Sequence, residues 1–353
     1  MAHEPMRVEQ IRQRLRGLGA GPGHVRRVLR LWAQALPQDA GRRAIEGFLP
    51  QTLRAALPEL AEDLAGLARL RSQHAAADGS ARLLVGLPDG QTVESVLLPR
   101  DGLCVSTQVG CAVGCVFCMT GRDGLVRQLG SAEIVAQVVL ARGLRPVRKV
   151  VFMGMGEPAH NLDNVLEAIE LLGTGGGIGH KNLVFSTVGD RRVFERLALG
   201  PVKPALALSL HSTKASLRAQ LLPRAPHIDP AELLALGERY ARATGYPIQV
   251  QWTLLEGVND GADELDALVT LLAGMHAMVN MIPYNAVEGF EFRRPSWDRA
   301  ARIARTLNQR GILTRLRRSA GQDVDAGCGQ LRSRGVDDAH RRVPIKPLRT
   351  SRA

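Results

Sequence analysis

Four cysteines stand in the fifteen residues from Cys104 to Cys118, CVSTQVGCAVGCVFC, and the fifth is Cys328. Three of them, Cys111, Cys115 and Cys118, have the spacing C-x3-C-x2-C. Thiolates are soft ligands, and cysteines this close in sequence converge on one small centre. Three ligands fill neither a tetrahedral zinc site nor all four irons of a [4Fe-4S] cube. A cube held by three cysteines leaves one iron open to a substrate or cofactor. Phe117, directly before the last cysteine, adds an apolar wall. The competing reading is a zinc knuckle or a set of buried structural cysteines. A knuckle needs a fourth ligand nearby, and no His or Cys follows Cys118 until His160.

The elements around this loop must position it. Residues 1–76 read as helical, with apolar residues at helical spacing interrupted by GLGAGPG. A Gly-rich turn followed by a helix carrying Arg26, Arg27 and Arg30 can hold a nucleic-acid backbone. An ordinary helical cap with a solvated basic face fits the same residues. ARLLVGLPDGQTVESVLLPRDGLCVST then reads as two or three short strands, with PDG turning the first two. From Ser131, the expected N-cap of a helix, strands and helices alternate to the strand ILTRLRRS. Such alternation implies a parallel sheet, here closed or partly closed as a barrel of about six strands. The reading gives an α/β protein in three parts. They are a helical accessory region 1–76, a barrel with a short β extension 77–335, and a basic flexible tail 336–353.

In such barrels the working residues sit at the C-terminal ends of strands. KVVFMGMGEP ends in Gly156 and Glu157, LVFSTVG in Ser186 and Thr187, ALALSLHS in Ser209 and His211, and VNMIPYN in Asn285. The glycines let the backbone approach a ligand, and Glu157 can pair with an ammonium. The small polar groups suit a ribose, an amine and an adenine edge. Any one of them is ordinary loop chemistry.

The net charge of +12 and pI near 10.3 suit a polyanion such as RNA, although Arg greatly outnumbers Lys and a biased genome would inflate Arg. Aromatic residues make up only 4%, so base stacking on an aromatic platform is not the expected contact. MAHEPMRVEQ has no signal-peptide core, and no apolar run reaches transmembrane length. Clustered cysteines in odd number argue against a secreted disulfide framework. The expectation is a cytoplasmic monomer in a reducing compartment, without a membrane partner.

C-x3-C-x-F-C resembles the cluster motif of radical S-adenosylmethionine (SAM) enzymes. In order, LCVSTQVGC, GMGEP, STVG, SLH, PYN and DVDAGCGQL resemble the RlmN/Cfr family of radical SAM RNA methyltransferases. The likeness runs from about Glu94 to Leu331, and the helical N-terminal region agrees in kind only.

The resemblance implies a partial (β/α)6 barrel and one [4Fe-4S] cluster on Cys111, Cys115 and Cys118. It implies SAM bound by Gly156, Glu157, Ser186, Ser209, Leu210, His211 and Asn285. The family's substrate is an adenosine in 23S ribosomal RNA, methylated at C2 or C8, and for the C2 enzymes also some transfer RNAs. C2 is the favoured carbon here, while STVG and SLHS lean toward the C8 enzymes.

By the same resemblance two SAM are used per turnover. One would methylate Cys328, and the other would be cleaved to a 5′-deoxyadenosyl radical that takes a hydrogen from that methyl group. An aromatic amidine carbon is electrophilic and cannot attack a sulfonium methyl, which is why a radical route is needed. Glu94 matches the family's proton acceptor. Cys104 would release the product by forming a disulfide with Cys328, and an external electron donor is required. The sequence departs from the family after SLHS, where TKASLRAQLLPRAPHIDP lacks the usual acidic residue before the Arg and the Pro-Ile/Val-Asn run. The segment from Glu94 to Cys104 is also short for the family. Two other readings remain beside this one: a radical SAM enzyme of another reaction class, and a non-catalytic RNA-binding protein with a structural zinc.

Overall fold

The structure, a computed structural model, describes residues 4–40, 44–287 and 289–333. The expected tail at 336–353 lies outside the described residues.

Three helices come first: α1 (Val8–Gly17), α2 (Pro22–Ala33) and α3 (Gln51–Gly66). Pro22 opens α2, where its fixed φ suits a first turn and its missing N–H costs nothing. Each helix buries one stripe, such as Val8, Ile11 and Leu15 on α1, or Leu53, Leu57, Leu60 and Leu64 on α3. Of the three arginines expected on one basic helix face, only Arg26 and Arg30 are exposed. Arg27 is buried, its guanidinium 5.2 Å from the Phe48 ring centroid. The helical reading also ends early. Residues Arg69–Ala75 form strand β1, because they pair antiparallel with β2 (Ala81–Gly86).

A hairpin and a short return follow: β3 (Thr92–Leu98) pairs with β2, and β4 (Gly102–Cys104) pairs with β3. The cysteine loop carries a two-stranded sheet, β5 (Gln108–Gly110) with β6 (Leu125–Gln128). Then come α4 (Ser131–Leu144), β7 (Lys149–Phe152), α5 (Leu162–Thr174), β8 (Leu183–Thr187) and α6 (Arg191–Leu199). They are followed by β9 (Ala205–Ser209), α7 (Ala215–Leu221), α8 (Pro230–Thr244), β10 (Ile248–Leu254) and α9 (Ala262–Leu272). The described chain finishes with β11 (Ala277–Pro283), α10 (Trp297–Gln309) and β12 (Thr314–Leu316).

The main sheet runs β1-β2-β3-β4-β7-β8-β9-β10-β11-β12, parallel from β4 onward. Six of the parallel strands lead into a packed helix, which is the expected (β/α)6 arrangement. Short β12 adds a seventh parallel strand at the edge. Register fixes which side chains share a face. Cys104 pairs with Val151 and Val151 with Val184, while Ser186 pairs with Ala207. Alternation then sets Cys104, Ser186 and Ser209 on one face of the sheet.

The sheet has two edges, and the C-terminal stretch after β12 spans them. Gly321 N donates to Asp78 Oδ2 at 3.1 Å and Arg82 Nε to the Val324 carbonyl at 2.6 Å. Arg332 N donates to Glu94 Oε2 at 2.9 Å. This strap carries Cys328 back over the β2–β3 hairpin.

Ser131 is not the N-cap of α4. Gly130 caps it, and the Glu133 carboxylate accepts from Gly130 N at 2.8 Å. Ser131 instead ties the N-terminal helices to the barrel: its hydroxyl accepts from Val8 N at 2.8 Å and donates to Glu167 at 2.5 Å. A Cβ on Gly130 would lie 2.0 Å from the Met6 carbonyl oxygen. Gly130→Ala therefore lowers stability by about 2 kcal/mol or more, the cost of forcing two backbones apart. A thermal melt against the parent chain checks this, and an unchanged midpoint contradicts the docking.

Candidate active site

The cysteine loop is held in shape by its own glycines and by α7. Gly110 has φ +76°, and a Cβ there would meet the Gly124 carbonyl at 2.1 Å. Val116 N donates to the Leu221 carbonyl at 3.1 Å. Val113, Phe117, Leu221, Leu222 and Tyr284 belong to a small apolar cluster apart from the main core, and the three cysteines pack against it.

Burial pushes the Cys111 thiol up to about 12, and Cys118 and Glu157 add to the rise. Cys115 rises for the same first reason, then through Cys118 and Cys111. Three thiols that feel one another inside an apolar shell are poor bare thiolates and good soft ligands, because a bound metal deprotonates them. Among the described residues no three His, Cys, Asp or Glu side chains are gathered to hold one metal ion. A cube spreads its thiolates over separate irons. The Tyr284 hydroxyl and the Arg218 Nε are buried here without a hydrogen-bond partner. The donor set, the apolar wall and these orphaned polar atoms fit a cluster with a small polar molecule beside it.

The strand-end residues surround this loop. Glu157 is buried; its Oε1 accepts from Ala159 N and its Oε2 from Val188 N, each at 3.0 Å. Desolvation pushes its carboxyl up to about 7 despite these donors, so an ammonium placed beside it would gain from its charge. Gly156 was expected to admit a ligand. Its φ is +103°, and the space beside it is taken by Gln108, whose side chain a Cβ would meet at 2.6 Å. Gln108 Oε1 then accepts from Glu157 N at 2.7 Å, so the missing side chain makes room for Gln108 and leaves the backbone of Gly156 to meet a ligand. Leu210 is buried and its N donates to the Gln251 carbonyl at 3.1 Å.

His211 has a left-handed backbone, φ +61°, strained for a non-glycine residue. Its Nδ1 accepts from Thr253 N at 2.9 Å, and its ring meets Phe117 edge-on with centroids 5.0 Å apart. Burial, then Arg218, pushes His211 down to about 3 from an ordinary value of 6.5. The folded protein keeps this ring neutral where the unfolded chain protonates it. The resulting stability is complete above about pH 6.5. It is lost as pH falls toward 3, by about 1.4 kcal/mol per pH unit. His211→Asn keeps an acceptor and tolerates the positive φ, so denaturant unfolding of that variant should lose this acid-side slope.

The two remaining cysteines meet the site from opposite directions. Cys104 ends β4 in the core, while Cys328 is open to solvent on the strap. Burial raises the Cys104 thiol and Cys328 raises it further. Protein surrounds the Cys328 thiol on its other sides and raises it too, Ser319 opposes that rise, and Cys118 adds to it. Cys104, Cys328 and Cys118 are thus within electrostatic reach in one chain of neighbours. Asn285 fixes the strap, its Nδ2 donating to Ser319 Oγ at 2.7 Å and to the Cys328 carbonyl at 2.9 Å. Met119 N, just past the cysteine loop, donates to the Gly329 carbonyl at 2.7 Å.

Glu94 is fully buried in β3. Its Oε1 pairs with Arg82 at 2.5 Å and its Oε2 accepts from Arg332 N. Sequence reading passed over Arg82. A lone Arg in ARLLVG and a lone Glu in TVESVL, on two strands of one hairpin, were the available signal. Arg82→Met strands a buried carboxylate and should cost about 3–5 kcal/mol in a denaturant titration. Arg218 was also passed over as a site residue. It is buried on α7 and donates to the Val188 and Ser209 carbonyls, and burial pulls it down to about 10.

A family model described as the Radical SAM superfamily matches residues 105–271. A probable RNA methyltransferase of Leptothrix cholodnii is 71% identical over 343 residues, covering 97% of this chain and 99% of that one. Another, of Methylibium petroleiphilum, is 73% identical over 343 residues and 97% of each chain. Among solved structures, a radical SAM methyltransferase from Sphaerobacter thermophilus superposes with a TM-score of 0.79. It is 36% identical, over 94% of this chain and 99% of that one. Relatives this similar over nearly their whole length lead to one conclusion: the chain belongs to the RlmN/Cfr-like family of radical SAM RNA methyltransferases.

Proposed function

We propose that this enzyme methylates a ring carbon of an adenosine in RNA, C2 in preference to C8, through a methyl group carried on Cys328. The substrate is 23S ribosomal RNA, with transfer RNA as a second target. The observation that carries the reading is the neighbourhood of Cys328, Cys104 and Cys118. A carrier thiol, a resolving thiol and a cluster ligand are what a protein-bound methyl group requires. The family of the chain and the names of its relatives support RNA as the substrate class.

Cys111, Cys115 and Cys118 hold one [4Fe-4S] cluster. Gly156, Glu157, Ser186, Ser209, Leu210, His211 and Asn285 bind SAM, two molecules being used per turnover. When bound, cluster and SAM supply a radical that takes a hydrogen from the methyl group on Cys328. The remaining steps belong to the chain. Glu157 holds the SAM ammonium and His211 stays neutral at the edge of Phe117. The methylene radical on Cys328 adds to the adenine carbon, Glu94 takes the ring proton once Arg332 N releases its Oε2, and the one electron left over on the adduct would pass to the oxidised cluster. The Cys104 thiolate then attacks the Cys328 sulfur, breaking the sulfur–carbon bond and forming a disulfide, and the released ring methylene takes up a proton to become the methyl group. An external electron donor reduces the disulfide and supports SAM cleavage. The target base leaves its stack to reach the site.

The N-terminal helices, as an accessory region, and the basic segment 336–353 assist RNA binding by a monomer. The reducing cytoplasm suits the free thiols. Among the described residues no helix is long and apolar enough to cross a membrane. The test is anaerobic reconstitution, incubation with SAM, reductant and unmodified ribosomal RNA, and mass spectrometry of the nucleosides. 2-Methyladenosine is the expected product and 8-methyladenosine would correct the carbon. SAM cleavage without RNA methylation would overturn the substrate.

A further inference from the structure

Arg82 ties together parts of the site that lie far apart in the chain. On β2 it stands two residues from Leu84, which is opposite Glu94 on β3. Arg82 itself is opposite Val96, and Val96 is opposite Cys104 on β4. Opposed residues on neighbouring strands, and residues two apart on one strand, share a face of the sheet. Arg82, Glu94 and Cys104 therefore lie on one face.

The guanidinium makes two bonds in different directions. Nη1 pairs with Glu94 Oε1 at 2.5 Å, and Nε donates to the Val324 carbonyl of the strap at 2.6 Å. Glu94 Oε2 meets the strap a second time, accepting from Arg332 N at 2.9 Å. Cys328 lies between Val324 and Arg332, so the stretch that carries it is tethered on both sides to one ion pair. Both partners of that pair are buried.

The two oxygens of Glu94 are thus held unequally. Oε1 is bound to a cation on the sheet, and parting them would leave two buried charges uncompensated. Oε2 is bound to one neutral N–H on the strap, a weaker bond that can be given up. A carboxylate that takes a proton from carbon needs one oxygen open and the other fixed, so that its lone pair is aimed.

We propose that Arg82 is a positioning residue for the proton transfer, an inference that rests on the reading of Glu94 as the proton acceptor. Arg82 holds Oε1 still and, through Val324, keeps the Cys328 strap in register with it. Oε2 is then the oxygen that receives the proton. The ring C–H bond breaks, an O–H bond forms at Oε2, and the electron pair stays with the ring. Arg82 touches neither the base nor SAM and acts only through Glu94 and the strap.

The test is single-turnover decay of the Cys328–RNA adduct in the full-length, cluster-loaded chain carrying Arg82→Lys, alone and combined with Glu94→Gln. Lysine keeps the positive charge but lacks the planar fork that reaches two acceptors at once. Arg82→Lys should slow adduct decay roughly tenfold and leave the rate of Cys328 methylation unchanged. Added to Glu94→Gln, it should slow decay no further, because residues that act as a unit are not additive. Equal slowing of decay and methylation, or slowing that adds in full to that of Glu94→Gln, marks a merely structural role and overturns the proposal. Parent-like decay in Arg82→Lys, with slow decay in Glu94→Gln, also overturns it and leaves the proton acceptor in place. If Glu94→Gln decays at the parent rate, both fall. Melting midpoints, iron and sulfide on the same preparations report folding. Should Arg82→Lys fail to fold, amide hydrogen exchange of the parent chain decides. RNA should deprotect the Arg332 amide, and an amide that stays protected in the RNA complex overturns the proposal.

Discussion

Cys328→Ala abolishes RNA methylation, a loss on the order of 10^4-fold or more, as expected when the covalent carrier of a reaction is removed. No other described thiol can take its place. Cys104 is buried at the end of β4, and Cys111, Cys115 and Cys118 are committed to the cysteine loop. The strap itself should survive, because Asn285 grips the Cys328 carbonyl and Met119 the Gly329 carbonyl, both backbone groups. Cys104→Ala has the opposite signature. Methyl transfer to RNA carbon proceeds, but no thiol attacks the Cys328 sulfur, and a protein–RNA crosslink accumulates. Denaturing gels of the two variants after incubation with SAM, reductant and RNA separate the cases. A crosslink in Cys328→Ala, or free methylated RNA at the parent rate in Cys104→Ala, contradicts the two-cysteine account.

Glu94→Gln lowers methylation by about 10^2–10^4-fold, the range of a lost general base. Gln matches the shape of Glu, so the backbone of β3 and the hydrogen bond of its carbonyl to Ser106 Oγ at 2.6 Å are retained. What changes is the charge opposite Arg82. The variant also leaves that guanidinium buried without its ion pair, so a fall in activity alone is ambiguous. Single-turnover kinetics resolve it. Loss of the base slows the decay of the Cys328–RNA adduct and spares methylation of Cys328, whereas a disturbed fold slows both. Equal slowing of both steps counts against Glu94 as the proton acceptor. The geometry adds a requirement that the sequence did not suggest, because Arg332 N on the strap occupies Oε2 in the present state. In the proposed mechanism Arg332 N leaves Oε2 before Glu94 takes the proton.

The alternating strands and helices were legible because each buries a regular stripe, and the cysteine spacing was legible because local chemistry demands it. The strand ends carrying Glu157, Ser186, Ser209 and Asn285 followed from the barrel rule. What stayed hidden depends on contacts between distant segments. β1 reads as helix until its pairing with β2 is known, since RLRSQHA has no strict alternation of its own. Ser131 looks like a cap until Met6 is found against Gly130. That Gln108 packs into the space left by the missing side chain of Gly156 is likewise not visible locally. Arg82 and Arg218 are single charges in apolar surroundings whose partners lie on other elements.

The central claim is that the methyl group reaches RNA by way of Cys328, and an isotope chase tests it directly. The chain is incubated with SAM whose methyl group is fully deuterated, then freed of SAM and given unlabelled SAM, reductant and unmodified RNA under anaerobic conditions. The account predicts that the first methyladenosine formed carries two of the three deuteriums and that the third appears in 5′-deoxyadenosine. It also predicts that the label disappears from the Cys328 peptide as it enters the RNA. Unlabelled methyladenosine in the first turnover, with the label still on Cys328 or never found there, would contradict it.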